Sequence, residues 1–204
     1  MVSFEDIYKQ NIGIDEVGRG SWSGPVIACA LILKRSILNE SMIEQINDSK
    51  KISKIKRDIL SKIIKRHSIY NFGVSHVEEI DAINILNSTK LAMLRAYKKF
   101  SKKKNSVNID GQQIFEMDKK FNFIIKGDQK SLAIASASIL AKVRRDQIMT
   151  LLGKLYPVYN WRRNMGYGTR EHFNALKKNG ISPFHRKSFA PIKKFLQSKQ
   201  ILVK

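Results

Sequence analysis

The chain has one cysteine, Cys29, and that alone excludes an internal disulfide. Cys29 lies in the apolar run Val26-Ile27-Ala28-Cys29-Ala30-Leu31-Ile32-Leu33, where it reads as a small buried hydrophobe rather than a nucleophile. A chain with one free thiol fits a reducing compartment, and a cytoplasmic location is expected. No apolar stretch approaches the roughly 20 residues needed to span a bilayer, so no membrane partner is expected. The first residues, Met1-Val2-Ser3-Phe4-Glu5-Asp6, do not read as a signal peptide. Repeats, low-complexity tracts and interdomain linkers are also lacking. The 204 residues, 43% of them hydrophobic, therefore read as a single domain over 1–204 with a real core and a helical C-terminal portion from about 157. Acids are scarce: 17 Asp and Glu stand against 38 Lys and Arg, a net charge of +21. A lysine-, isoleucine- and asparagine-rich composition accounts for part of this excess. The remainder points to a polyanionic partner and salt-dependent binding.

The most informative stretch is Ile12-Gly13-Ile14-Asp15-Glu16-Val17-Gly18-Arg19-Gly20. An alternating apolar run ends in two adjacent carboxylates, which a strand aims to opposite sides. The second still reaches a shared metal if the strand ends or bends there. The glycine-bracketed Arg19 follows, and bare backbone at Gly18 and Gly20 permits close approach of a ligand. Acids for a divalent cation beside a small basic loop suit a metal-dependent nuclease, although the two glycines taken alone read as an ordinary turn.

Strand and helix signals interleave. Strands are expected over Ile12–Glu16, Pro25–Leu33 (apolar throughout and so central in a sheet), Ile69–Ser75, Ser106–Asp110 and Phe121–Ile125. A helix begins at Ser53, with Ile59, Leu60, Ile63 and Ile64 on one face. Long helices are expected from about Ala82 to Phe100 and from about Ser131 to Leu155, the latter ended by Pro157. Thr169 reads as the N-cap of a helix to about Lys178, stopped by Asn179-Gly180, and a last helix follows Pro191. This alternation argues for an α/β fold.

Further acids stand at strand ends: Asp110 before Gly111, and Asp128 after Gly127. In open α/β sheets ligands gather beyond the strand ends, and hard cations such as Mg²⁺ take carboxylate oxygens. Four clustered carboxylates repel one another unless a cation is present. Singly, Asp110 and Asp128 read first as turn chemistry.

The chain closely resembles bacterial ribonuclease HII, the type 2 ribonuclease H. Blocks in register include Gly13 through Gly20 with Gly24-Pro25-Val26, Asp48-Ser49-Lys50-Lys51, Asn84 through Met93, and Asp110-Gly111. Lys126-Gly127-Asp128, Ala137 through Val143 with Arg145-Asp146, Gly166-Tyr167-Gly168-Thr169, and His185 through Phe189 complete the set. The resemblance implies a ribonuclease H-like mixed β-sheet flanked by helices, with a small C-terminal helical portion that closes over substrate. It implies a catalytic and metal-binding set of Asp15, Glu16, Asp110 and Asp128, holding two Mg²⁺ or Mn²⁺ ions. The implied activity is hydrolysis of the RNA strand of RNA/DNA hybrids. Cleavage on the 5′ side of a lone ribonucleotide in duplex DNA is implied as well, with 3′-hydroxyl and 5′-phosphate ends, as ribonucleotide excision repair and DNA replication require. Those nucleic acids are the expected partners of a monomer.

By the same analogy, Gly18, Arg19, Gly20 and Tyr167 read the RNA-to-DNA junction, since the 2′-hydroxyl is both donor and acceptor. Without the family match Tyr167 reads equally as a core aromatic. Lys50, Lys142 and Arg186 are candidate phosphate contacts, and Asn87 and Ser138 candidate hydrogen-bond donors to the nucleic-acid backbone. Asp146 is expected to pair with Arg145 or to support the acids from behind. His67, His76, His172 and His185 lack metal-ligand spacing and read as surface or structural. Ser21-Trp22-Ser23, Arg144 and Met165 depart from the family's usual residues, and Arg162-Arg163 stand ready to replace a lysine lost at Met165. Two rival readings are a non-catalytic basic RNA-binding protein and the sister enzyme ribonuclease HIII. The paired acids argue against the first. The short stretch before the first strand and Arg19, in place of a lysine, argue against the second.

Overall fold

A computed structural model describes residues 4–46, 52–113 and 121–201. Its elements, in chain order, are α1 (Glu5–Lys9), β1 (Ile12–Val17), β2 (Val26–Leu33), α2 (Lys54–Arg66), β3 (Ser68–Ser75) and α3 (Val77–Tyr97). They continue with β4 (Val107–Asp110), β5 (Phe121–Ile124), α4 (Leu132–Leu155), α5 (Trp161–Asn164), α6 (Arg170–Asn179) and α7 (Ala190–Ile201). The strands form one mixed sheet in the order β3-β2-β1-β4-β5. β1 and β2, and β2 and β3, are antiparallel, whereas β4 runs parallel to β1 and β5 parallel to β4. The central strand is thus β1, and β2 lies next to it. The uninterrupted apolar run of β2 has a different cause from centrality: both its faces are covered. Cys29, Leu31 and Leu33 pack with α2 and α4, and Ala28, Ala30 and Ile32 pack with α3. Burial pushes the Cys29 thiol pKa well above its usual value, as a packing role for that residue requires.

Two glycines let the helices reach the sheet backbone. A Cβ on Gly13 of β1 would stand 2.3 Å from the Ala133 carbonyl carbon of α4, and one on Gly73 of β3 would stand 1.9 Å from the Ala92 oxygen of α3. Neither neighbour is a side chain that can rotate away. Gly13→Ala is expected to destabilise the protein by about 3 kcal/mol, the cost of overpacking a closed contact. Urea denaturation checks this, and an unchanged midpoint would contradict it. The start of α4 is fixed by Ser131, whose hydroxyl caps Ile134 N–H and donates to the buried Asp6 carboxylate at 2.5 Å.

Beyond the sheet, the last turns of α4 pack with α5, α6 and α7 around Met149, Tyr159, Trp161, Leu176 and Ile192. This is the expected C-terminal helical portion. It is stitched to the loop between β1 and β2 by an isolated bridge, Ser23↔His185. Two expectations change. Ile59 is 45% exposed, and Leu60 and Ile64 form the buried stripe of α2. α3 starts at Val77, earlier than its apolar pattern suggested, because His76 and Glu79 form a capping box. Among the described residues no helix is long and apolar enough to cross a membrane.

Candidate active site

β1 outruns its parallel neighbour. Its last pair with β4 is Ile14↔Ile109, yet it continues to Val17. From Asp15 onward one edge of β1 is open, and Asp110 ends β4 one residue past that last pair. Gly13 faces α4, so strand alternation puts Asp15 on the α4 side and Glu16 on the α3 side. The Ser138 hydroxyl of α4 donates to the Asp15 carboxylate, and Glu16 N–H donates to Asp15 Oδ1 at 2.7 Å. Glu16 borders a cavity of about 240 Å³ shared with Arg19, Met93, Asp110 and Phe123. Arg19 Nη1 lies 3.4 Å from Glu16 Oε1.

The electrostatics mark Asp15, Glu16 and Asp110 as one group. Burial holds the Asp15 pKa well above the usual carboxylate range. Repulsion from Glu16 and Asp110 adds to the shift, and the bonds from Ser138 and the Glu16 N–H oppose it. Glu16 is raised by burial and by Asp110, against the pull of Arg19. Asp128 is placed differently. It is buried, and it reaches the group through its neighbour Gly127, whose N–H donates to Asp110 Oδ1 at 2.7 Å. As the side chains stand, no three acidic, histidine or cysteine groups among the described residues converge to grip an ion. Asp15 and Asp110 each spend an oxygen on a backbone N–H, and Glu16 leans on Arg19.

The glycine loop beside these acids is clamped from behind. Gly18 has φ +98, and a Cβ there would meet Arg145 Nε at 2.3 Å. Arg186 is fully buried and donates to the carbonyls of Gly18 (2.7 Å), Arg19 (2.9 Å) and Gly24 (2.8 and 3.0 Å). Arg145, also fully buried, donates to the carbonyls of Ser23, Pro25 and Met165. Arg145 carries its guanidinium 5.6 Å from the centre of the Tyr167 ring, which is 38% exposed. Tyr167 is thus a surface ring beside the loop rather than a core aromatic. Trp22 lies against Gly168, where a Cβ would meet its ring at 2.0 Å.

A family model described as Ribonuclease HII matches residues 12–192. The chain belongs to the ribonuclease HII family. The ribonuclease HII of Paramagnetospirillum magneticum is 45% identical over 184 residues, covering 90% of this chain and 92% of that protein. The ribonuclease HII of Pelagibacter ubique is 46% identical, covering 90% and 97%. Solved structures of lower identity share the fold. The structure of the PCNA:RNase HII complex from Archaeoglobus fulgidus aligns with a TM-score of 0.73 at 21% identity, covering 87% of this chain and 93% of that one. Bst-RNase HIII in complex with Mn²⁺ aligns at 0.71 and 15%, covering 94% and 70%. Membership makes the chain an endoribonuclease with a ribonuclease H-type mixed sheet.

The donor chemistry of the acids suits a divalent metal: hard oxygens, with Asp15 buried and Glu16 and Asp110 half-buried beside it, whose shared charge a cation would offset. The expected substrate contacts divide. Arg186 is no phosphate contact, because it is fully buried and its guanidinium is spent on backbone carbonyls. Lys142 is turned to Asp146 at 2.7 Å, and Ser138 is turned to Asp15. Asn87 is exposed near the start of the second half of α3, where Asn84 (φ 65) breaks the helix and its side chain accepts from the N–H groups of Leu86 and Asn87. Lys50 lies outside the described residues. Asp146 does not pair with Arg145; it bonds Lys142 and approaches Arg57 at 3.8 Å. Arg163 lies 3.9 Å from Glu171, and Arg162 packs its stem on Gly153.

Sequence reasoning missed how far inside two histidines sit. His172 and His185 are fully buried, with Nε2 atoms 3.0 Å apart. The Trp161 indole N–H donates to His172 Nε2 and Ser182 N–H donates to His185 Nδ1. These acceptors fix the tautomers: His185 carries its proton on Nε2 and His172 on Nδ1, facing the Tyr167 carbonyl at 3.0 Å.

Proposed function

We propose that the chain hydrolyses the RNA strand of RNA/DNA hybrids and nicks duplex DNA on the 5′ side of a single embedded ribonucleotide, leaving 3′-hydroxyl and 5′-phosphate ends. The observation that carries this is the grouping of Asp15, Glu16 and Asp110 at the open edge of β1, directly before a glycine loop. Asp15, Glu16, Asp110 and Asp128 are the residues that would hold Mg²⁺ or Mn²⁺. When bound, such ions would supply Lewis-acid chemistry, easing deprotonation of water and offsetting charge on the leaving oxygen. The chain's own residues supply the rest. Ser138 holds the Asp15 carboxylate in place. The backbone of Gly18 to Gly20 stands next to the acids with little side chain in the way, suited to a 2′-hydroxyl that donates and accepts. Tyr167 offers its ring to the adjacent sugar. The net charge of +21 draws the duplex in, so binding should weaken steeply with added salt.

The test is cleavage mapping on a duplex carrying one ribonucleotide. With Mg²⁺ a single nick on its 5′ side, bearing a 3′-hydroxyl, is expected. A 2′,3′-cyclic phosphate end, or cutting that persists in a chelator, would overturn the proposal.

A further inference from the structure

Two fully buried guanidiniums hold the loop that follows the acids, and every acceptor they use is a backbone carbonyl: three bonds from Arg145 and four from Arg186. Five of the carbonyls belong to residues 18–25, and the sixth, on Met165, belongs to the turn that carries Tyr167. A trans peptide is planar, so its C=O and the following N–H point in opposite directions. With the Gly18 and Arg19 carbonyls drawn inward to Arg186, the N–H groups of Arg19 and Gly20 must face away from it. Neither has an acceptor within the protein among the described residues. Gly20 has open space where a Cβ would stand.

The geometry points to Arg186 as a positioning residue that sets ribose recognition: by fixing two peptide planes it aims the Arg19 and Gly20 N–H groups outward as donors to the 2′-hydroxyl, with Arg145 holding the Tyr167 turn in register. This rests on the reading that Gly18 to Gly20 and Tyr167 meet the ribose. A single ammonium cannot replace the arrangement. The arginine fork supplies several donors in one plane to three carbonyls, whereas lysine keeps the charge but offers a compact head on a flexible stem.

The experiment compares wild type with Arg186→Lys by fluorescence anisotropy in Ca²⁺, used as a probe ion to measure binding. The two ligands are duplexes of one sequence, one all-DNA and one with a single ribonucleotide. Wild type is expected to prefer the ribonucleotide duplex. In Arg186→Lys that preference should fall at least fivefold, with the all-DNA affinity changed less than twofold. A merely structural defect lowers both affinities together and leaves their ratio intact, and that result overturns the assignment. A wild type with no preference overturns the ribose-reading itself, a failure distinct from a preference that survives in the variant. If Arg186→Lys does not fold, amide NMR on the wild type decides. The Arg19 and Gly20 N–H resonances should move with the ribonucleotide duplex and not with the all-DNA one. Equal movement with both, or none, overturns the proposal.

Discussion

Asp15→Asn is expected to lower cation-dependent cleavage by about 10³-fold or more, while raising the thermal stability of the protein in a chelator. On the proposed reading, removing one carboxylate would loosen the hold on the cation that supplies several kcal/mol of charge stabilisation at the reacting phosphate, and each 1.36 kcal/mol is a factor of ten. The gain in stability comes from the same charge. Asp15 is 6% exposed and is repelled by Glu16 and Asp110, so its folded-state pKa lies well above the unfolded value. A carboxyl shifted in that direction stabilises the fold below its unfolded pKa, and that contribution is lost as pH rises through the raised folded pKa. Holding an acid at this buried, repelled position is a net cost at pH 7, and asparagine removes the ionisable group while keeping an acceptor for Ser138. Steady-state kinetics and thermal melts in EDTA check the two halves. Loss of activity together with loss of stability would mean that Asp15 is structural.

Acid is expected to loosen the C-terminal portion, through the histidine pair, well before it reaches the sheet. Burial and the neighbouring His172 hold His185 down to about 3, and burial lowers His172 as well. Both are neutral when folded, and the Trp161 and Ser182 donors leave no lone pair of either ring free for a proton. Unfolded histidines titrate near 6.5. Stability from each depressed histidine is therefore complete above that value and lost as pH falls toward the folded pKa. At pH 4.5 about two units of the His185 shift are expressed, on the order of 3 kcal/mol. For a chain of this length that is a melting temperature lower by roughly 5–10 °C. Melts from pH 7.5 to 4.5, followed by Trp161 and Trp22 fluorescence, should show the fall in wild type and a shallower slope in His185→Gln. Equal slopes would contradict the burial of a neutral pair.

The elements legible in the sequence were those with a strong local cause. Ser53, Ser131 and Thr169 each cap the helix they were expected to start, with their side-chain oxygens on the N–H three residues on. The five strands fall within a residue or so of their apolar runs. The acids were visible because Asp15-Glu16 ends an apolar alternation, which turn chemistry does not explain. What stayed hidden depends on tertiary partners. Arg186 and Arg145 look like surface cations, and only the fold shows carbonyls from loops more than a hundred residues away turned toward them. The break in α3 at Asn84 follows from an asparagine side chain capping its own chain, a local bond that apolar periodicity does not register. Lys142 reads from the sequence as a phosphate contact, and only the fold shows its ammonium bonded to Asp146, one helical turn on.

The most direct measurement is calorimetric titration of Mn²⁺ into wild type and Asp15→Asn at pH 7.5 and low ionic strength. If repulsion among Asp15, Glu16 and Asp110 is relieved by bound cations, wild type should take up Mn²⁺ with a saturable heat and melt higher when loaded, and the variant should bind at least tenfold more weakly. Equal Mn²⁺ affinity in the two proteins, or a wild type that neither binds the ion nor gains stability from it, would contradict a metal-holding role for this cluster.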